Sequence, residues 1–145
     1  MANVFATKAG NWSDPTVWNT GALPTSGDDV LSNNFAVVIN QNINVLSIRN
    51  TADTGITAGG NFTVSTAGFT ISANVIAGAV PCLVISAVGT TNVAGNSTGG
   101  SVNNAFGVSF TAASGSTLNF IGNSTGGIGT SSHVINVSSA GYIVC

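Results

Sequence analysis

Apolar residues fall in short runs, and in several segments they alternate with Ser, Thr, Asn or Gly. Phe62/Val64, Phe69/Ile71, Leu118/Phe120 and Ile135/Val137 each place two apolar side chains on one face of an extended segment. Gly, Asn and Ser break the runs, and Glu, Lys and Arg, which favour helices, are nearly missing. The pattern predicts strands at Val37 to Ile39, Ile43 to Ile48, Phe62 to Val64, Phe69 to Ile71 and Leu83 to Ile85. It predicts four more at Val108 to Phe110, Leu118 to Phe120, Val134 to Val137 and Tyr142 to Val144.

The second half repeats itself. Gly95-Asn96-Ser97-Thr98-Gly99-Gly100 returns unchanged 27 residues later as Gly122-Asn123-Ser124-Thr125-Gly126-Gly127. The segments that start at Cys82, Val108 and Val134 each lead through a Gly (Gly89, Gly115, Gly141) to a second apolar run. A coil of this length with short strands and Gly-rich corners predicts an all-β fold, a right-handed parallel β-helix. Equivalent apolar positions then stack in columns about 4.8 Å apart. A β-sandwich of hairpins has a similar strand spacing, but its turns have no reason to match one another. In this frame Cys82 aligns with Val108 and Val134, and Cys145 with Asn92 and Asn119. The GNSTGG hexapeptides read as stacked corners in which Gly permits positive φ and Asn, Ser and Thr pair along the ladder. A phosphate cradle needs a Lys and a following helix, and neither accompanies them. The expected organisation is a cap or attachment segment over 1–34 and β-helix coils over 35–145, cut off mid-repeat.

Charge narrows the function classes. Only 4% of the 145 residues are charged: Lys8, Arg49, Asp14, Asp28, Asp29 and Asp53. With no basic patch, neither nucleic acid nor an anionic membrane is an expected partner. A near-neutral surface lacks the repulsion that keeps diffusing proteins apart, and it suits a component held in an assembly. No apolar run approaches the ~18 residues needed to cross a bilayer. The first residues lack the basic segment and apolar core of a secretory signal, so assembly in the cytoplasm is the expectation.

The most distinctive stretch is Gly10-Asn11-Trp12-Ser13-Asp14-Pro15-Thr16-Val17-Trp18, followed by Leu23-Pro24-Thr25-Ser26-Gly27-Asp28-Asp29-Val30. Ser13 or Asp14 can cap a short helical turn that starts at Pro15. The Trp pair then lies over the first rung, and Val30 and the Phe35 to Ile39 run begin the stack. This opening resembles the "NWSDP…W…G…P…GDDV" segment that precedes β-helical regions in surface proteins and tailed-phage virion proteins, where it looks like a cap on the first coil. The GNSTGG coils are similar to Gly/Ser/Thr-rich repeats of large phage structural proteins. The resemblance implies a parallel β-helix in a phage particle, as a fibre, spike or capsid decoration made in the host cytoplasm.

Individual residues add little chemistry. Asp28 and Asp29, the only adjacent carboxylates, either ligate Ca²⁺ or accept backbone N–H groups in the turn before Val30; the second reading is favoured because further ligands are not visible. Trp12 and Trp18 form either a sugar platform or the cover of the first coil. Asp14 reads as a helix cap. His133 sits in a Ser-rich corner with no acidic residue near it in sequence, so no catalytic arrangement is indicated. The repeat region has no carboxylate pair for glycoside hydrolysis. Cys82 and Cys145 occupy different columns, so a disulfide between them is not expected, and Cys82 reads as a buried thiol. No metal or cofactor is expected. The reading from sequence is a non-enzymatic virion structural protein that contacts other virion proteins and forms a homo-oligomer, with a trimer among the expected forms. The alternative is a β-helix that binds or depolymerises host surface glycans.

Overall fold

The computed structural model describes residues 3–128, 135–137 and 142–144. Every strand pairing within it is parallel. One sheet stacks β1 (Asn3–Phe5), β3 (Asp29–Leu31), β5 (Ile43–Arg49), β7 (Thr70–Ile76), β9 (Thr90–Ala94), β12 (Thr117–Ile121) and β15 (Tyr142–Val144). The other stacks β2 (Gly10–Asn11), β4 (Ala36–Val38), β6 (Asn61–Val64), β8 (Leu83–Ile85), β11 (Val108–Phe110) and β14 (Ile135–Val137). The chain alternates between the two walls and climbs one rung per circuit, giving a parallel β-solenoid of about five turns. Among the described residues no helix is long and apolar enough to cross a membrane.

The alternating positions become the columns of the core. Val37, Phe62, Leu83 and Val108 follow one another in register, and all four side chains are buried. Val30, Ile48 and Val75 do the same on the first sheet. Each such side chain contributes about 1.5–3 kcal/mol by leaving water. The positions between them face outward and are mixed: Thr63, Ser72 and Asn74 are polar, Val38 and Val84 are half-buried, and Leu46 is exposed.

Strand positions agree with the sequence expectation, with instructive differences. The strand expected at Phe69 to Ile71 runs Thr70–Ile76, because the polar residues Ser72 and Asn74 continue the ladder on the solvent side of buried Ala73 and Val75. The 1–34 segment contributes β1, β2 and β3 to the ladders as well as a turn over the core. The hexapeptides are corners only in part: Gly95-Asn96 turns the chain, and Ser97–Thr98 forms a two-residue strand, β10. It pairs with Val75–Ile76 below and with β13 (Ser124–Thr125) above. The repeat frame is shifted by one residue from that expected. Val108 pairs with Leu83 and Ile135, not with Cys82 and Val134, and Asn119 pairs with Val144, not Cys145. Cys82 and Leu83 are both apolar and both buried, so alternation alone could not separate them.

Candidate functional site

The N-terminal opening was the one place where sequence gathered distinctive residues, and the structure shows what holds each of them. Asp14 caps a 3-10 turn over Pro15–Val17: its Oδ1 accepts from Thr16 N at 2.9 Å and from Thr16 Oγ1 at 2.7 Å. Lys8 Nζ lies 3.7 Å from the other carboxylate oxygen. These contacts, led by the Thr16 hydroxyl, hold the Asp14 carboxyl below its ordinary range. Of the two capping candidates, Asp14 serves and Ser13 does not.

The turn delivers Val17 and Trp18 to the mouth of the core. Gly10 makes room for them, since a Cβ there would come within 2.7 Å of Val17 Cγ2. The Trp12 and Trp18 rings meet edge to face with centroids 4.9 Å apart, and Trp12 also packs on Phe62 at 6.0 Å. Trp18 Nε1 donates to Trp12 O at 3.1 Å, which satisfies its only polar atom. The two residues are 1% and 2% exposed, so neither ring offers a face on which a sugar could stack. The pair is the cover of the core.

Asp28 and Asp29 point to different partners. Asp28 Oδ2 accepts from Thr25 N at 2.7 Å and Thr25 Oγ1 at 2.8 Å, closing the turn ahead of β3 as expected. Asp29 instead accepts from Ser47 Oγ and from Arg49 Nε, the latter at 2.6 Å. Arg49 Nη2 reaches Asp53 Oδ2 at 2.7 Å, and Asn3 Nδ2 donates to the same oxygen at 3.0 Å. Arg49, with Thr54 N as a second donor, holds the Asp53 carboxyl below its ordinary range. Burial alone would lower the Arg49 pKa, but hydrogen bonds to Asp53 and Asp29 outweigh it and raise it. The chain's six charged side chains are thus engaged with one another or with local polar groups. No three His, Cys, Asp or Glu side chains converge among the described residues.

Cys82 is fully buried, and that burial pushes its thiol up to about 12. Its Sγ donates to Ile48 O at 3.5 Å. His133 and Cys145 lie outside the described residues.

Two polar features escaped the sequence reading. Asn50, fully buried, is a four-way staple: Oδ1 accepts from Gly78 N at 2.7 Å, and Nδ2 serves Gly60 O, Val80 O and Pro81 O at 2.9–3.1 Å. It ties the connection after β5 to the one stacked on it after β7, and a lone Asn after a strand gives no sign of that. The second feature is a shallow hollow of about 300 Å³ on the outer face of the first sheet, between Leu46 and the small residues Ser72, Ala94 and Gly95. Beside it run polar ladders, of which the sequence anticipated the Asn96–Asn123 step of the repeated hexapeptide. Asn119 Nδ2 donates to Asn92 Oδ1 at 2.9 Å, Asn74 Oδ1 accepts from Asn96 N, and Asn96 Oδ1 accepts from Asn123 N, both at 3.0 Å.

Comparison of the chain with protein-family models, with curated proteins and with solved structures finds no match.

Proposed function

We propose that this chain is a non-enzymatic structural component of a tailed-phage virion, a rigid β-solenoid that works through subunit contacts. The observation that carries this reading is the use made of the N-terminal opening. The residues that give it its resemblance to virion β-helix caps, Trp12, Asp14, Trp18 and Asp28, are all spent on closing and bracing the first coils. Above this cap the polar surface is mainly Ser, Thr, Asn and Gly, with few charges, which suits a part held among neighbours rather than one kept apart by charge. Rigidity comes from continuous parallel ladders over fully buried apolar columns, with no need of a disulfide at Cys82. The cap docks on the particle and the coils point away from it.

The test is quantitative mass spectrometry of the purified source particle. Presence at a fixed copy number supports the reading. Hundreds of copies would make it a capsid decoration, and a few copies a fibre or spike. Absence from any particle overturns it.

A further inference from the structure

The outer face of the first sheet has the features of a surface that pairs with itself. Asn44, Ser72, Ala94 and Ile121 occupy successive rungs of one outward column. Asn92 and Asn119 flank it on one side, and Asn74, Asn96 and Asn123 on the other. None of these named residues is charged; the nearest charge in the columns is Asp29, two rungs below Asn74 and paired with Arg49.

The central column is shaped as well as neutral. Ile121 protrudes at its top, 70% exposed on a strand whose Leu118 and Phe120 are buried. The 300 Å³ hollow lies below, floored by Ser72, Ala94 and Gly95 and bounded by Leu46. Ile121 stands one rung above Ala94, and Ser72 one rung below it. A two-fold axis parallel to the strands at the height of Ala94 therefore exchanges knob and hollow. Each copy's Ile121 meets the other's hollow at Ser72, and the two Ala94 residues face each other across the axis.

We propose that this face is an isologous dimer interface, with Ile121 of each copy seated in the Ser72–Ala94–Gly95 hollow of a second copy of the chain. Three features select a second copy over any other occupant. A charge-free face meets itself without repulsion, whereas a charged partner would lose solvation with no counter-charge to receive it. Asn amides carry both donors and an acceptor, so a ladder of them is its own complement. The ladders repeat at rung height, and only another solenoid with the same ~4.8 Å spacing keeps that match over several rungs. The inference stands independently of the virion reading.

The test combines mass and cross-linking. Light scattering coupled to size exclusion is expected to give twice the 14.3 kDa chain mass at micromolar concentration. Ile121→Asp is expected to give the single-chain mass with an unchanged circular dichroism spectrum. Val88→Asp, at a comparably exposed position on a corner, is expected to leave the dimer intact. In a Cys145→Ser background, Ala94→Cys is expected to oxidise to a covalent dimer, because the axis brings that residue against its own copy. The Ala94→Cys result decides the matter if Ile121→Asp fails to fold. A single-chain mass for the unaltered protein, an assembly unaffected by Ile121→Asp, or a trimer with no Ala94→Cys cross-link would each overturn the proposal.

Discussion

Gly122 lies directly over Gly95, and a Cβ on Gly122 would overlap the Gly95 carbonyl oxygen. Gly95 stands in the same relation to the carbonyl of Ala73 one rung below. Both have φ near +150°, a conformation that L side chains rarely adopt. The repeated hexapeptide is thus a packing requirement in sequence form. Wherever the wall bends at this corner, backbone meets backbone and a side chain has no room.

Gly95→Ala is therefore expected to destabilise far more than Gly115→Ala. Gly115 also has positive φ, +86°, but nothing lies within 4 Å of the added Cβ. Its substitution should cost about 1–2 kcal/mol from backbone strain alone. Gly95→Ala adds the overlap with the Ala73 carbonyl and should exceed twice that. Urea titration of the two variants checks the order, and equal costs would refute the close-stacking account.

Asn50 offers a test of the buried polar staple. Asn50→Asp keeps the shape but turns the donor end of the side chain into an acceptor, leaving Gly60, Val80 and Pro81 carbonyls facing an oxygen. Breaking a buried network this way costs at least about 3 kcal/mol at neutral pH. Protonation restores one donor, so the deficit should narrow in acid. Stability measured at two pH values would reveal this, and a pH-independent deficit would count against it.

The tryptophan pair predicts two separable effects. Trp12→Ala opens a cavity against Trp18 and Phe62 and should cost about 3–5 kcal/mol. Trp18→Phe keeps most of the ring but loses the Nε1 hydrogen bond to Trp12 O, for roughly 1 kcal/mol. Near-ultraviolet circular dichroism from the edge-to-face rings should weaken strongly in both. Thermal melts give the energies.

Acid sensitivity should concentrate at the first coils. The carboxyls of Asp14 and Asp53 sit below their ordinary value of 3.8 in the folded chain. Folding therefore gains stability from them above that value and loses it as pH falls through it toward the folded pKa. Asp53→Asn should flatten the fall in melting temperature between about pH 5 and pH 2, since it removes the ionisable partner of Arg49. An unchanged acid limb would show that the Arg49–Asp53 pair does not contribute.

Much of this architecture was written in local order. The alternation of Phe62/Val64 and Leu118/Phe120, with turn residues between the runs, is enough to choose strands. Repetition of Gly95–Gly100 at 122–127 chose a solenoid over a sandwich, because only stacked corners need to be alike. Pro15 after Asp14 placed the helical turn, and the Asn positions of the repeat foretold the Asn96–Asn123 step of the ladders.

The tertiary structure decided what depends on which residues share a rung. Register moved from Cys82 to Leu83 because two neighbouring apolar residues satisfy the same alternation, and only the corner geometry distinguishes them. Asp29 went to Arg49 rather than to its own turn because β3 and β5 lie side by side, although the two residues are 20 apart in sequence. Asn50 became a staple because two stacked connections, 50–60 and 77–82, meet at it. Trp12 and Trp18 were covers rather than platforms because Trp12, held directly after β2, packs on Phe62 and the turn after Asp14 brings Trp18 against it. Periodicity is a property of the chain and can be read along it. Burial and pairing belong to the stack, and they exist only once one coil has been laid on another.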